Sequence, residues 1–139
     1  MIPEITSYTD RPFKAIELIK LYRHMEWWEE RKEGDIQEML ERSVSVGAWI
    51  DDELIGFARA ISDDTFRAYI EDVMIHKDYQ NLGIGTKLIS HLVESLSHID
   101  TISLFCEESF LPFYEGNQFK YSKKQVVMHK KGSSKNEST

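Results

Sequence analysis

Ile70-Glu71-Asp72-Val73-Met74-Ile75-His76-Lys77-Asp78-Tyr79-Gln80-Asn81-Leu82-Gly83-Ile84-Gly85-Thr86-Lys87-Leu88 carries a strand into a glycine-bearing turn and the turn into a helix. After the turn, Ile84, Leu88 and Leu92, with Ile89, Val93 and Leu96, recur at helical spacing and form one stripe. Lys87, His91 and Glu94 face away from it. A helix that starts this way leaves its first amides without carbonyl partners, with the positive end of its macrodipole behind them. Gly83 and Gly85 let an anion approach that backbone closely, so the stretch reads as a site for a pyrophosphate. A glycine-eased turn with no ligand is the plain alternative.

Spacing excludes two familiar phosphate loops. The dinucleotide fingerprint needs a third glycine at position 88, where the chain has Leu88. The P-loop needs Gly-Lys-Ser/Thr after four residues, and Gly85-Thr86-Lys87 does not supply it.

Upstream, Val44–Ile50 and Leu54–Ile61 are apolar runs split by Asp51-Asp52-Glu53, a hairpin signal. Asp63-Asp64 turns into a third run, Phe66–Ile75, so an antiparallel meander is expected. Ile2–Tyr8 reads as a first strand. Asp10 is placed to cap a helix from Pro12, with Phe13, Ile16, Ile19 and Tyr22 at helical spacing. Gly34 and Asp35 open a second helix that ends near Ser43. Downstream, Thr101–Cys106 reads as a strand, Phe110–Asn117 as a short helix and Tyr121–Met128 as a last strand. The order predicts an α+β (mixed α/β) domain over residues 1–130 with one βαβ unit near its end. Residues 131–139 read as a polar, solvated tail.

With 139 residues, the chain is long enough to bury one core without staples. Its formal charge of −7 argues against a nucleic-acid grip, which needs a basic face, and mildly favours a cationic partner. Cys106 is the only cysteine, which leaves no disulfide framework and no cysteine-rich zinc site. The five histidines (24, 76, 91, 98 and 129) show no metal-ligand spacing, so no metal is expected. Apolar runs are strand-sized, far short of a bilayer span. Met1-Ile2-Pro3-Glu4 lacks the features of a signal peptide, and the cytoplasm is the expected compartment.

Gln80-Asn81-Leu82-Gly83-Ile84-Gly85 matches Gln/Arg-x-x-Gly-x-Gly/Ala, and in this it resembles the acyl-CoA pyrophosphate loop of the GCN5-related N-acetyltransferase (GNAT) family. Phe113-Tyr114-Glu115-Gly116-Asn117-Gln118-Phe119 is similar to the family's Tyr-Glu-x-x-Gly-Phe segment. The resemblance spans Ile2–Met128 in element order and is sharp over 69–88 and 110–119. Three positions depart from the family pattern. Gln118 stands where the family has glycine, Glu107 where it often has asparagine, and Lys77 where proline is common.

The resemblance implies a mostly antiparallel central sheet of about six to seven strands, with a βαβ unit around the CoA site. It also implies an acetyl-CoA-dependent N-acetyltransferase acting by direct attack of an amine on the thioester. The fourth strand would bulge and splay from the fifth, so that Val73, Met74 and Ile75 offer main-chain groups to the pantetheine arm. The Val73 N–H would polarise the thioester carbonyl. Backbone amides from Gln80 to Thr86, through Asn81, Leu82, Gly83, Ile84 and Gly85, would hold the pyrophosphate. Tyr114 would protonate the departing thiolate. Glu71 resembles the glutamate of spermidine/spermine N-acetyltransferases that takes the proton from the ammonium of the acceptor. Strand alternation puts Glu71 and Val73 on one face and Asp72 on the other.

Each assignment has a plain counterpart: a buried strand at 73–75, a packing tyrosine at 114, a solvated carboxylate at 71. The alternative for the whole chain is a non-catalytic acyl-CoA-binding or regulatory module of the same fold. Trp27 and Trp28 among Glu26, Glu29 and Glu30 lie where this family builds its acceptor wall. Aromatic faces beside carboxylates suit an ammonium group, and a tryptophan capping the core is the simpler reading. Polyamine, arylalkylamine, amino sugar, antibiotic and protein amine all stay open as acceptors, with small-molecule amines favoured on charge. A homodimer fits the resemblance, since dimers are frequent in the family.

Overall fold

The computed structural model describes residues 2–132. The chain divides into two compact units, 1–104 and 105–139, each treated by itself below. The first holds β1 (Glu4–Ser7), α1 (Ala15–Met25), α2 (Glu33–Arg42), β2 (Val44–Ile50), β3 (Glu53–Ser62), β4 (Arg67–Ile75), α3 (Ile84–Ser95) and β5 (Thr101–Leu104). They form one sheet in the order β1-β2-β3-β4-β5. β1 to β4 pair antiparallel, and β5 runs parallel to β4, so both the meander and the βαβ unit are present.

Side-chain size decides which helix covers which face. On one face Phe57 and Met74 join Phe13, Leu18, Tyr22, Ile36 and their neighbours on α1 and α2 in a continuous core. On the other, β2 and β3 present Ala48 and Gly56 as direct partners. A Cβ on Gly56 would lie 3.0 Å from Leu88 Cδ1, 3.1 Å from the Ala48 Cβ and 3.2 Å from Ile75 Cδ1. The absent side chain is what lets α3 settle so close to the sheet. Its stripe is buried at Ile84, Leu88, Ile89, Leu92 and Leu96 as expected, with Val93 only partly covered.

Two sequence expectations are corrected. α1 begins at Ala15 rather than near Pro12, and Lys14, not Asp10, is its N-cap. The Lys14 N–H donates to the Glu17 carboxylate at 2.8 Å, while the Asp10 amide turns back to the Ser7 hydroxyl. Phe13, buried in the core, anchors the entry. The sheet has five strands among the described residues instead of six to seven, because Tyr121–Met128 forms none. Its apolar residues do not alternate: Lys123-Lys124-Gln125 interrupts them, and Val126-Val127-Met128 is an unbroken run.

The second unit contains a 3-10 turn at Glu108–Phe110 and α4 (Leu111–Glu115), with Pro112 in the first turn of that helix. Most of the expected tail lies outside the described residues. No helix among the described residues is long and apolar enough to cross a membrane.

Candidate active site

β4 is paired differently on its two sides. β3 follows it as far as Ile75, opposite Gly56. β5 accompanies only Arg67–Ile70, opposite Thr101–Leu104. Beyond Ile70 no described strand runs along that side, so the backbone from Glu71 to Ile75, including Val73 and Met74, forms a strand edge.

The same stretch carries a β-bulge. Arg59 sits opposite Glu71 and Phe57 opposite Met74, so Ala58 alone faces both Asp72 and Val73. Asp72 absorbs the extra residue with φ 58°. This overturns the alternation expected from the sequence. Cross-strand partners share a face, as do Phe57 and Arg59 two residues apart. Glu71 and Met74 therefore lie on the α1/α2 side, and Val73 turns to the other. Asp72 joins Glu71 instead of opposing it.

The carboxylate of Asp72 is the centre of a hydrogen-bond network. It accepts from Tyr22 Oη (2.8 Å), Trp28 Nε1 (3.2 Å), Arg31 (3.2 Å) and Arg59 Nε (2.9 Å). A second nitrogen of Arg59 donates to Glu71 Oε2 at 2.6 Å, and a third reaches the Ser43 hydroxyl at 3.4 Å. Burial pushes the Glu71 carboxyl above the ordinary glutamate range; the charge of Asp72 adds to this, while Arg59 and Arg31 oppose it. Burial alone would lower the pKa of Arg59, but the hydrogen bond and charge of Asp72, with the charge of Glu71, raise it above the usual arginine value. Tyr22 is pushed far up by burial and by Asp72, so it stays a donor.

The sequence singles out Glu71 as the carboxylate of the site, sets Asp72 on the opposite face, and gives Arg59, Tyr22 and Arg31 no place in it. One signal was available: Arg59 stands inside Phe57-Ala58-Arg59-Ala60-Ile61, and an arginine in an apolar strand requires a buried anionic partner. The tryptophans divide as well. Trp28 donates to Asp72, and the Arg31 guanidinium lies 4.4 Å from the centre of its ring. That face of Trp28 is taken by the protein's own cation. Trp27 is half exposed.

From β4 the chain passes through a 3-10 turn (Lys77–Tyr79) to the loop before α3. Gln80 folds back, its side-chain amide donating to the Ile75 carbonyl at 2.9 Å. Asn81 has φ 63° and Gly83 φ 82°, two left-handed residues around an exposed Leu82. Gly83 is the N-cap of α3 and brings no side chain of its own. The first bond of the helix runs from the Lys87 N–H to the Gly83 carbonyl at 3.3 Å. The amides of Ile84 and Gly85 precede it, and an α-helix offers them no carbonyl of its own. Nothing lies within 4 Å of where a Gly83 Cβ would sit, and the first turn has no acidic residue. Space, amide donors and dipole agree in sign for an anion.

In the second unit Tyr114 lies on α4, edge-on to Phe113 with ring centroids 4.9 Å apart. Burial, with a smaller contribution from Cys106, pushes its pKa up to about 12, so the hydroxyl keeps its proton at neutral pH. Cys106 is exposed, and the slight desolvation its thiol does undergo raises the pKa, the reverse of what a nucleophilic thiolate needs.

A separate groove of about 750 Å³ opens beside α1 and the β2–β3 turn, lined by Glu17, Asp51, Asp52 and His24 among others. It contains neither Glu71 nor the Gly83 loop. His24 stacks on His76 there, with ring centroids 3.7 Å apart. Among the described residues no group of three or more His, Cys, Asp and Glu side chains is gathered closely enough to hold a metal ion.

The sequence profile described as "Acetyltransferase (GNAT) family" matches residues 2–115. An uncharacterized N-acetyltransferase, ycf52-like, of Prochlorococcus marinus is 35% identical over 112 residues, covering 76% of this chain and 62% of the relative. A histone acetyltransferase of Glycine max is 41% identical over 68 residues, 48% of this chain and 27% of the relative. Serotonin N-acetyltransferase 2, chloroplastic, of Oryza sativa is 31% identical over 93 residues, 60% of this chain and 46% of the relative. The chain therefore spans at most 62% of the length of these relatives. Among solved structures, a GNAT family acetyltransferase of Streptococcus pneumoniae superposes with TM-score 0.77 at 19% identity, covering 94% of this chain and 100% of that one. At that identity the likeness speaks for the fold.

Proposed function

Because the chain belongs to the GNAT acetyltransferase family, matched over residues 2–115, we propose that it moves an acetyl group from acetyl-CoA to a primary amine by direct attack of the amine on the thioester. One observation carries this reading: β5 leaves β4 after Ile70, and the strand edge so exposed runs toward an open helix start at Gly83. Such an edge accepts an extended amide-bearing arm as an added strand, and such a helix start accepts a diphosphate.

Bound there, acetyl-CoA supplies an acyl group activated as a thioester. The residues of the chain do the rest. Backbone amides between Gln80 and Thr86 hold the diphosphate, with the Gln80 side chain bracing the loop against the end of β4. Main-chain groups of Val73, Met74 and Ile75 align the arm, and the Val73 amide polarises the reacting carbonyl, an electrostatic contribution that needs no reorganisation. An amine arrives mostly as ammonium. Glu71, partly exposed and raised in basicity by its surroundings, takes the proton that must leave before the nitrogen can attack. Tyr114, protonated at neutral pH, is suited to returning a proton to the departing thiolate.

The acceptor is read as a small amine. The net charge of −7 favours a cation, and the rice relative is named for such an amine. The soybean relative is named for a histone, which makes a protein lysine the competing class. The chloroplastic label of the rice relative adds a plastid setting to the cytoplasmic one expected from the sequence.

The test is release of free CoA thiol from acetyl-CoA in the presence of spermidine, serotonin, glucosamine or a lysine-rich histone-tail peptide. Release with a small amine is the expected result. Release with the peptide alone would reassign the acceptor, and calorimetric binding of CoA without release on any amine would replace the enzyme by a binding module.

A further inference from the structure

The Asp72 side chain on β4 accepts hydrogen bonds from four residues, yet nothing in the reaction touches it. The residue is 7% exposed, and its four donors come from α1, the α1–α2 connection and β3. A carboxylate buried alone is strongly disfavoured, whereas two guanidinium groups and two neutral donors compensate this one. The cluster of Glu71, Asp72, Arg59 and Arg31 balances two negative charges against two positive. Asp72 also makes the bulge itself, at φ 58°, a region that Asp and Asn enter more readily than other residues with a side chain.

Arg59 connects this network to Glu71. Its Nε faces Asp72 and its terminal nitrogen faces Glu71, so the guanidinium is divided between two carboxylates. A guanidinium beside a single carboxylate often closes on it with two parallel bonds. Here only Glu71 Oε2 is engaged, and among the described residues no hydrogen bond reaches Oε1.

We propose that Asp72 is a positioning residue: by forming the bulge and occupying the Nε side of Arg59, it holds Glu71 by one oxygen and leaves the other free to receive the proton of the acceptor ammonium. The inference rests on the reading of Glu71 as the base. The charged and titratable groups facing Glu71 are Arg59 from β3, Asp72 and Tyr69 from its own strand, and Arg31 from the α1–α2 connection. Among them the charge of Asp72 contributes most to holding the Glu71 carboxyl above its ordinary range, second only to burial.

Asp72→Asn keeps a residue that tolerates the left-handed backbone and removes the charge. The Glu71 carboxyl is titrated by 13C NMR in the full chain, and acetyl transfer to the best amine of the panel is followed across pH. In the variant the Glu71 midpoint should fall toward the ordinary glutamate range. The acid limb of the rate should move the same way. At pH 7, kcat should drop by up to about 10²-fold, the scale of a misplacement of about 1 Å, with KM for acetyl-CoA unchanged. Should that variant fail to fold, Asp72→Asn with Arg31→Gln removes one charge of each sign. It should still lower the Glu71 midpoint, since Asp72 outweighs Arg31 there. An unmoved Glu71 titration overturns the proposal whatever the rate does. Full activity in Glu71→Gln would instead overturn the base reading, while the titration still reports on the hold that Asp72 has on Glu71.

Discussion

Phe119 closes over Tyr114: its amide donates to the Tyr114 carbonyl at 3.0 Å, and the two rings meet edge-on with centroids 6.0 Å apart. With the Gln118 N–H on the Glu115 carbonyl at 3.2 Å, this is the two-bond Schellman ending of a helix, and its left-handed position falls on Gln118 at φ 76°. The segment 114–119 thus encodes a helix end that clamps the tyrosine backbone and ring together. Gly116, two residues earlier, has an ordinary helical φ of −65° and does not take over the glycine's role.

Gln118 therefore bears a conformational cost that glycine would not. Gln118→Gly should stabilise the protein by about 1 kcal/mol, the scale of placing a side chain in the left-handed region. Denaturant unfolding of the full chain measures it. A destabilised variant would mean that the Gln118 side chain makes a contact worth more than the strain.

Tyr114→Phe leaves the ring against Phe119 and removes the proton. If Tyr114 is the acid, kcat should fall by ~10²–10⁴-fold with little change in CoA affinity. With a pKa of about 12, the wild-type tyrosine should impose no loss of rate below pH 10. An alkaline limb near pH 8 that disappears in the variant would contradict both the environment and the role.

Glu71 must be ionised to take a proton, so activity should rise with pH through its midpoint. Burial and Asp72 raise that midpoint. The acid limb should therefore lie above about 4.3, the value for an unperturbed glutamate. Glu71→Gln should lower kcat by ~10²–10⁴-fold and flatten this limb. A limb that survives the substitution belongs to another group.

Two substitutions at Gly83 separate backbone from ligand. A Cβ there meets nothing within 4 Å, so Gly83→Ala should cost only the left-handed strain, about 1–2 kcal/mol of stability. Gly83→Glu adds a negative side chain at the helix start and should abolish calorimetric CoA binding. Equal affinity in wild type and Gly83→Glu would remove the diphosphate from this loop.

The meander, the βαβ unit and the strand–turn–helix at Gly83 were legible because each depends on neighbours in sequence. Apolar runs split by acidic turns make hairpins, and a period near 3.6 after two glycines makes a helix with an open start. The last strand was misread for a related reason. Tyr121–Met128 is apolar enough in composition for a strand but lacks the alternation that would give it one buried face.

Local pattern thus decided the order of elements and the open helix start at Gly83. The tertiary structure decided the face on which Asp72 stands. An inserted bulge residue is set by the register between β3 and β4, a non-local matter of which amide meets which carbonyl, and one residue of slip reverses every side chain beyond it. The partners of Asp72 lie 13 positions away at Arg59 and 50 away at Tyr22. Only folding brings them to one carboxylate.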